Sequence, residues 1–227
     1  MRDTPLRPME RMMMSQPGHK PRGGGMYRSP FYYTPKDVEC EYCQSYDRKN
    51  PCLLCECICL EERIEAGVLN LSEFVRDCFA PSMEQQLQER MRQQFRERKS
   101  CFFLSDSHRR RWTHWRTLCW CLSDRNKAAL FLLTAYESLW RRMVWKCGND
   151  GFDFQAVHLH GIKPELYSVY QAAKAIAVGS SNITLADLAS QELVTDEAFQ
   201  LIICALLMAK YGDVVLNLEN GEIKEGN

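Results

Sequence analysis

The sequence predicts a mainly α-helical fold in which a small cysteine-rich, zinc-binding module precedes a helical domain with few short strands. Three observations carry this. Cys40, Cys43, Cys52 and Cys55 form two closely spaced CxxC pairs. Apolar residues recur at helical spacing over 126–145, 165–178 and 196–211. Strand signals are confined to 156–159 and 214–218.

Residues 1–36 combine Pro5, Pro8, Pro17, Pro21, Pro30 and Pro35 with a Gly23-Gly24-Gly25 run and scattered Arg and Met. Such a composition buries too little surface to order itself, so a flexible arm is expected there. The cysteine module follows at 37–80. Within it Glu61–Ala66 reads as a short helical turn closed by Gly67, and Ser72 as the cap of a second helix through Phe74, Val75, Cys78 and Phe79 that Pro81 stops.

Over 81–100 a linking helix is expected, because strong helix formers at 83–99 carry only a narrow apolar stripe of Leu87, Met91 and Phe95. The mainly helical domain spans 101–220. Its clearest element is 126–145, with Ala129, Leu132, Leu133, Tyr136, Leu139, Trp140 and Met143 on one side. Glu165–Val178 faces inward through Leu166, Val169, Tyr170, Ala173 and Ile176. Asp196–Tyr211 is capped by Thr195 and ended by Gly212, and a shorter helix begins at the cap Thr184. Residues 221–227 form a tail.

The cysteine spacing runs Cys40-x2-Cys43-x8-Cys52-x2-Cys55 and continues at Cys57 and Cys59. Each CxxC knuckle folds two sulfurs toward one point, which suits a tetrahedral four-thiolate zinc site. The loop between the pairs, Gln44–Pro51, is polar and turn-rich. Six cysteines exceed one zinc ion's needs, so Cys57 and Cys59 stand as extra or alternative ligands, and an iron-sulfur cluster or unmetallated thiols are the rival readings. Cys78, Cys101, Cys147 and Cys204 read as small buried apolar residues.

The segment His108–Arg116 interleaves Arg109, Arg110, Arg111 and Arg116 with Trp112 and Trp115. Guanidinium groups neutralise phosphate and indoles stack on bases, so a nucleic-acid contact is one reading. On a helix the indoles could instead face the core while the arginines stay solvated. The charge distribution fits either. Residues 88–149 carry 14 Lys/Arg against 5 Asp/Glu, whereas 31–87 carry 5 against 11 and 150–227 carry 4 against 11, within a chain of zero formal charge.

Fainter signals accompany these. His158 and His160 would share one face of a strand, with Asp153 upstream, but no third ligand or general base is identifiable. Thr184–Gly212 with a hairpin at 214–223 has the outline of a winged helix. Its would-be reading helix, Phe199–Leu206, is too apolar for a groove. No phosphate-binding glycine loop, nucleophile elbow or HExxH helix occurs, so catalysis has no positive support.

Met1–Met14 is interrupted by Arg2, Arg7, Glu10 and Arg11, and predicts no secretion signal. The longest apolar run, Leu201–Ala209, is about half a membrane span, so no membrane partner is expected. Twelve cysteines then point to the reducing cytosol, and the expected location is cytoplasmic.

Through Cys40-Glu41-Tyr42-Cys43, the cysteine run into Glu61-Glu62-Arg63-Ile64, and Gly151–Phe154 leading to Gly161-Ile162, the chain resembles uncharacterised cysteine-rich accessory proteins of bacterial integrative and conjugative elements. The resemblance covers most of 38–215. It implies a bacterial cytoplasmic accessory protein and assigns no activity to any residue. The expected function is a non-enzymatic, zinc-stabilised binding protein whose target is nucleic acid or another protein. The alternative is a metal- or thiol-dependent enzyme using His158/His160 or the surplus Cys57 and Cys59.

Overall fold

The computed structural model of the chain describes residues 33–79, 84–96, 101, 103–119, 122–148 and 151–218. The flexible arm expected at 1–36 lies outside the described residues up to position 32, as does the tail at 221–227. Positions 33–36 are anchored instead: Tyr33 is buried, and the Asp37 carboxylate caps the 3-10 turn Pro35–Val38, accepting from the Thr34 N–H at 2.8 Å and from the Thr34 hydroxyl at 2.6 Å.

The cysteine segment holds two further 3-10 turns, Cys40–Tyr42 and Leu54–Glu56, before α1 (Leu60–Glu65) and α2 (Leu71–Phe79). Gly67, at φ +68°, closes α1 in the left-handed region that its lack of a Cβ permits. The start of α2 is set by Asn70 and not by Ser72. The Glu73 N–H donates to Asn70 Oδ1 at 3.0 Å and the Asn70 N–H to Glu73 Oε2 at 3.3 Å, a reciprocal cap that places Ser72 inside the helix.

Where a linking helix was expected, α3 (Gln85–Phe95) buries Leu87, Arg90, Met91 and Phe95. It packs on α2, on α8 (Leu185–Ala189) and on α9 (Asp196–Tyr211). The stripe is narrow because Arg90 completes it: its guanidinium lies 4.4 Å from the centre of the Phe199 ring.

Two helices apolar on nearly every side form the centre, as such helices must. In α5 (Asp124–Ala135) every residue from Ala128 to Ala135 is buried, and α9 buries all but a few of its side chains. Around α5 stand α4 (Asp106–Leu118), α7 (Pro164–Val178) and α9. The apolar core runs from Leu54 to Leu218 without a break, and Phe74 of α2 meets Tyr211 of α9 edge-on at 5.1 Å.

The helix expected over 126–145 is two helices, α5 and α6 (Glu137–Met143), because Tyr136 is extended at φ −115° and ψ 125°. No proline or glycine marks the break. Arg111 makes it tenable: its Nε donates to the Thr134 carbonyl at 2.8 Å and its Nη2 to that of Ala135 at 3.0 Å, satisfying acceptors that a continuous helix would satisfy itself.

Neither expected strand forms. At 156–159 the Asp153 carboxylate accepts from the Gln155 and Ala156 N–H groups, bending the chain into a turn, and Arg142 Nη1 donates to the His158 and His160 carbonyls. The run at 214–218 lies largely in the 3-10 turn Asp213–Asn217, with Val215 fully buried against the core. The outlined winged helix therefore lacks its wing's first strand, and Phe199–Ala205 is core. The β-structure among the described residues is a hairpin, β1 (Cys147–Gly148) against β2 (Gly151–Phe152), antiparallel in the register Cys147 to Phe152.

Candidate metal centre and basic helix

Five cysteines line one cavity of about 90 Å3: Cys40, Cys43, Cys52, Cys57 and Cys59. The Gln44–Pro51 loop brings the first three round because Asp47 folds it, accepting from the Lys49 N–H at 2.8 Å and from Asn50 Nδ2 at 3.0 Å. Those bonds hold the Asp47 carboxyl below its usual range, the Lys49 N–H contributing most.

Cys55 does not line this cavity. Residues two apart in extended chain share a face, so Cys55, Cys57 and Cys59 would align on a strand. The 3-10 turn Leu54–Glu56 interrupts that period. It buries Leu54 and turns Cys55 toward the core, near Cys78, while Cys57, back in extended backbone, faces the cavity with Cys59. Of the expected ligand set Cys40, Cys43, Cys52 and Cys55, the first three line this cavity and the fourth does not, while the two expected extras, Cys57 and Cys59, line it as well.

Cys59 Sγ donates to Cys43 Sγ at 3.9 Å. Burial pushes the Cys59 thiol up to about 12, with further contributions from Cys43, Cys57 and the carboxylate of Glu62. Cys52 is raised as well, by burial first and then by Cys57, Cys40 and Cys43. Two charged neighbours flank these thiols, a cation that opposes the negative potential and a carboxylate that adds to it. Arg63 Nη1 stands 3.9 Å from Cys57 Sγ and lines the cavity. Glu62, one helical turn beyond Cys59, is 1% exposed with no hydrogen-bond partner for Oε2.

Whether these residues fit an ion turns on sulfur spacing. Two thiolates on one tetrahedral zinc, each about 2.3 Å from it, stand about 3.8 Å apart, and the Cys43–Cys59 separation matches that edge. The other sulfurs do not yet converge: among the described residues no group of three or more His, Cys, Asp or Glu side chains is arranged to hold an ion. Cys40 and Cys52 are exposed, on a short turn and a loop, and these would have to close on the edge.

The basic segment is α4, capped by Ser105, whose Oγ accepts from the His108 N–H. Its inner face holds His108, Trp112 and, in part, Trp115, which meets Trp140 at 5.1 Å. Arg111 is committed to the carbonyls at the α5–α6 break. Arg116 pairs with Asp213 at 2.8 Å, and Arg109 lies over the Phe103 ring at 4.5 Å. The exposed side therefore presents Arg109, Arg110 and Arg116, with the indoles turned inward.

His158 and His160 are exposed on a turn whose carbonyls Arg142 holds. Among the residues read as buried cysteines, Cys101 and Cys204 are buried, while Cys78 and Cys147 are half-buried. No helix among the described residues is long and apolar enough to cross a membrane. No protein-family model, curated protein or solved structure matches the chain.

Proposed function

We propose that the chain is a non-enzymatic binding protein whose N-terminal module is stapled by one zinc ion. The observation that carries this reading is the Cys43–Cys59 sulfur edge in a cavity ringed by Cys40, Cys52 and Cys57. Cys43 and Cys59 supply two ligands, and two of the other three sulfurs complete the set. A closed four-thiolate ion leaves no open position for a substrate, so its contribution is to hold the segment around 40–59 and the surface it presents. That surface includes Tyr42, Tyr46, Leu53 and Ile58, each at least 43% exposed within a stretch of seventeen residues, which favours another protein as the partner.

Elemental analysis of the purified chain is expected to give one zinc per molecule. Cys43→Ser and Cys59→Ser should each lose it, whereas Cys55→Ser should retain it. Iron with inorganic sulfide would carry the cluster reading instead, and a chain binding neither metal overturns the proposal.

A second reading rests on Arg109, Arg110 and Arg116, the guanidinium groups that α4 exposes. If they meet a phosphate backbone, affinity for duplex DNA or RNA falls with salt at a log-log slope no steeper than about −3, one unit per contact. Arg109→Ala with Arg110→Ala should then remove most of the binding. A flat salt response rejects nucleic acid and leaves the protein partner. Placement in the bacterial cytoplasm, as an accessory of a mobile element, rests on the sequence resemblance.

A further inference from the structure

We propose that Cys119 and Cys147 are a modification site that takes up a reversible intrachain disulfide. Their sulfurs stand 3.6 Å apart although the residues are 28 positions apart in the chain. Cys119 ends α4, its N–H donating to the Trp115 carbonyl, and Cys147 opens β1. A disulfide requires an S–S distance of about 2.05 Å, so the sulfurs must close by roughly 1.5 Å. Both residues sit at the end of an element, in non-helical backbone, where a side-chain rotation and a small shift of the hairpin supply that movement.

Access separates this pair from the others. Both residues are partly buried and not sealed in the core, which leaves a small oxidant a route to them. Cys101 and Cys204 are hydrogen-bonded thiols as well, but in a buried position. Cys43 and Cys59 belong to the cavity assigned above to the metal. The 119–147 site does not depend on that assignment.

The chemistry is thiol–disulfide exchange with a low-molecular-weight disulfide such as oxidised glutathione. One cysteine, as thiolate, attacks the glutathione disulfide, forming a protein–glutathione bond and releasing one glutathione thiolate. The second cysteine, deprotonated, attacks the protein sulfur of that bond, closing the protein disulfide and releasing the second glutathione. The protein loses two protons and two electrons, and the reagent gains them as two thiols. The bond ties the C-terminal end of the basic helix, three residues from Arg116, to the hairpin beside Trp145, which is 88% exposed.

The test is to equilibrate the full-length chain with graded ratios of oxidised to reduced glutathione, alkylate the remaining thiols, and map the peptides by mass. The expected result is loss of alkylation at Cys119 and Cys147 together, with a peptide cross-linking them in the monomer, and recovery of both thiols on adding dithiothreitol. In Cys147→Ser, Cys119 should appear as the free thiol or its glutathione adduct. Alkylation persisting at both sites in the most oxidising mixture overturns the proposal, and so does a Cys119–Cys121 or interchain link in their place.

Discussion

Replacing Arg90 with methionine is expected to lower the unfolding free energy by about 3–5 kcal/mol. Arg90 is 4% exposed, and its guanidinium stitches three elements together. Nη1 donates to the carbonyls of Leu188 at 2.7 Å and Ser190 at 3.1 Å, and Nη2 to the Val194 carbonyl and to Asp196 Oδ1 at 2.9 Å. The turn from α8 to α9 thus folds around one side chain of α3. Methionine keeps the apolar stem and the contact with Phe199 but leaves the Leu188 and Val194 carbonyls without that donor, each worth roughly 1–3 kcal/mol when buried. Ser190 retains the Val194 N–H at 3.1 Å, so it contributes less. Lysine should restore under half of the loss, because a single ammonium cannot reach acceptors that a planar fork spans. Arg92→Ala on the same helix is the control. That side chain is 74% exposed and 3.7 Å from Glu89, so its removal should cost less than about 1 kcal/mol. Urea unfolding of the three variants decides it. A loss below about 1 kcal/mol in Arg90→Met would mean that water reaches those carbonyls.

Arg90 also marks the point at which local sequence ceases to decide how α3 packs. Leu87, Met91 and Phe95 lie on one face at helical spacing, and a stripe that thin among Gln, Arg and Glu reads as an exposed connector. Whether a given arginine is solvated or buried depends on acceptors about a hundred residues away, at Leu188 and Val194, which no local window contains. The same holds at Tyr136, where a break without proline or glycine is stabilised by Arg111 from another helix. Elements with local causes were legible. Thr195 and Thr184 cap α9 and α8 through their hydroxyls, accepting from the Ala198 and Asp187 N–H groups, and Gly67 and Gly212 lie at positive φ where helices end.

The strand signals failed for a related reason. Val214–Leu218 has the β-branched content of a strand, yet a strand needs an edge to pair with, and the mainly helical core offers none beside it. The chain instead forms a tight turn that sinks Val215 and Leu218 onto the helices. In the cysteine module the spacing points to Cys40, Cys43 and Cys52, which line one cavity, but gives no sign of which later cysteines line it with them. One 3-10 turn at Leu54–Glu56 decides that Cys55 leaves and that Cys57 and Cys59 enter, and the alternation at 55, 57 and 59 carries no mark of it. In the basic helix, packing of the indoles requires an aromatic partner from elsewhere in the chain. Trp140 and the Phe131 neighbourhood supply it.

Acid should destabilise the fold between pH 6.5 and 4 through His108. Its ring is fully buried, with Nε2 2.8 Å from the Phe131 carbonyl and Nδ1 accepting from the Leu104 N–H at 3.2 Å. That pairing defines the neutral tautomer with its proton on Nε2, and protonating Nδ1 would set it against the Leu104 N–H. Burial, more than the nearby Arg111 and Arg109, lowers the folded-state value from 6.5 to about 4, against the opposing pull of the Phe131 carbonyl. Above pH 6.5 both folded and unfolded chains hold a neutral ring and the stability is complete. As pH falls below 6.5 the unfolded chain takes up a proton that the folded chain refuses. The loss grows until about pH 4 and levels off near 3 kcal/mol. Carboxylates with resolved shifts act elsewhere. Asp37, Asp47 and Asp187 are held below 3.8 by hydrogen bonds, so what they contribute is present above that value and disappears only at lower pH. Unfolding midpoints measured at half-unit steps from pH 7 to 4 should therefore trace one proton. In His108→Gln, whose amide can donate to Phe131 and accept from Leu104, the slope should vanish. Wild-type stability that stays level down to pH 5, or a glutamine variant with an undiminished slope, would place the acid sensitivity outside this ring. The histidine signal itself is an independent check, since in the folded chain it should keep its neutral-form chemical shift at pH 5 by NMR.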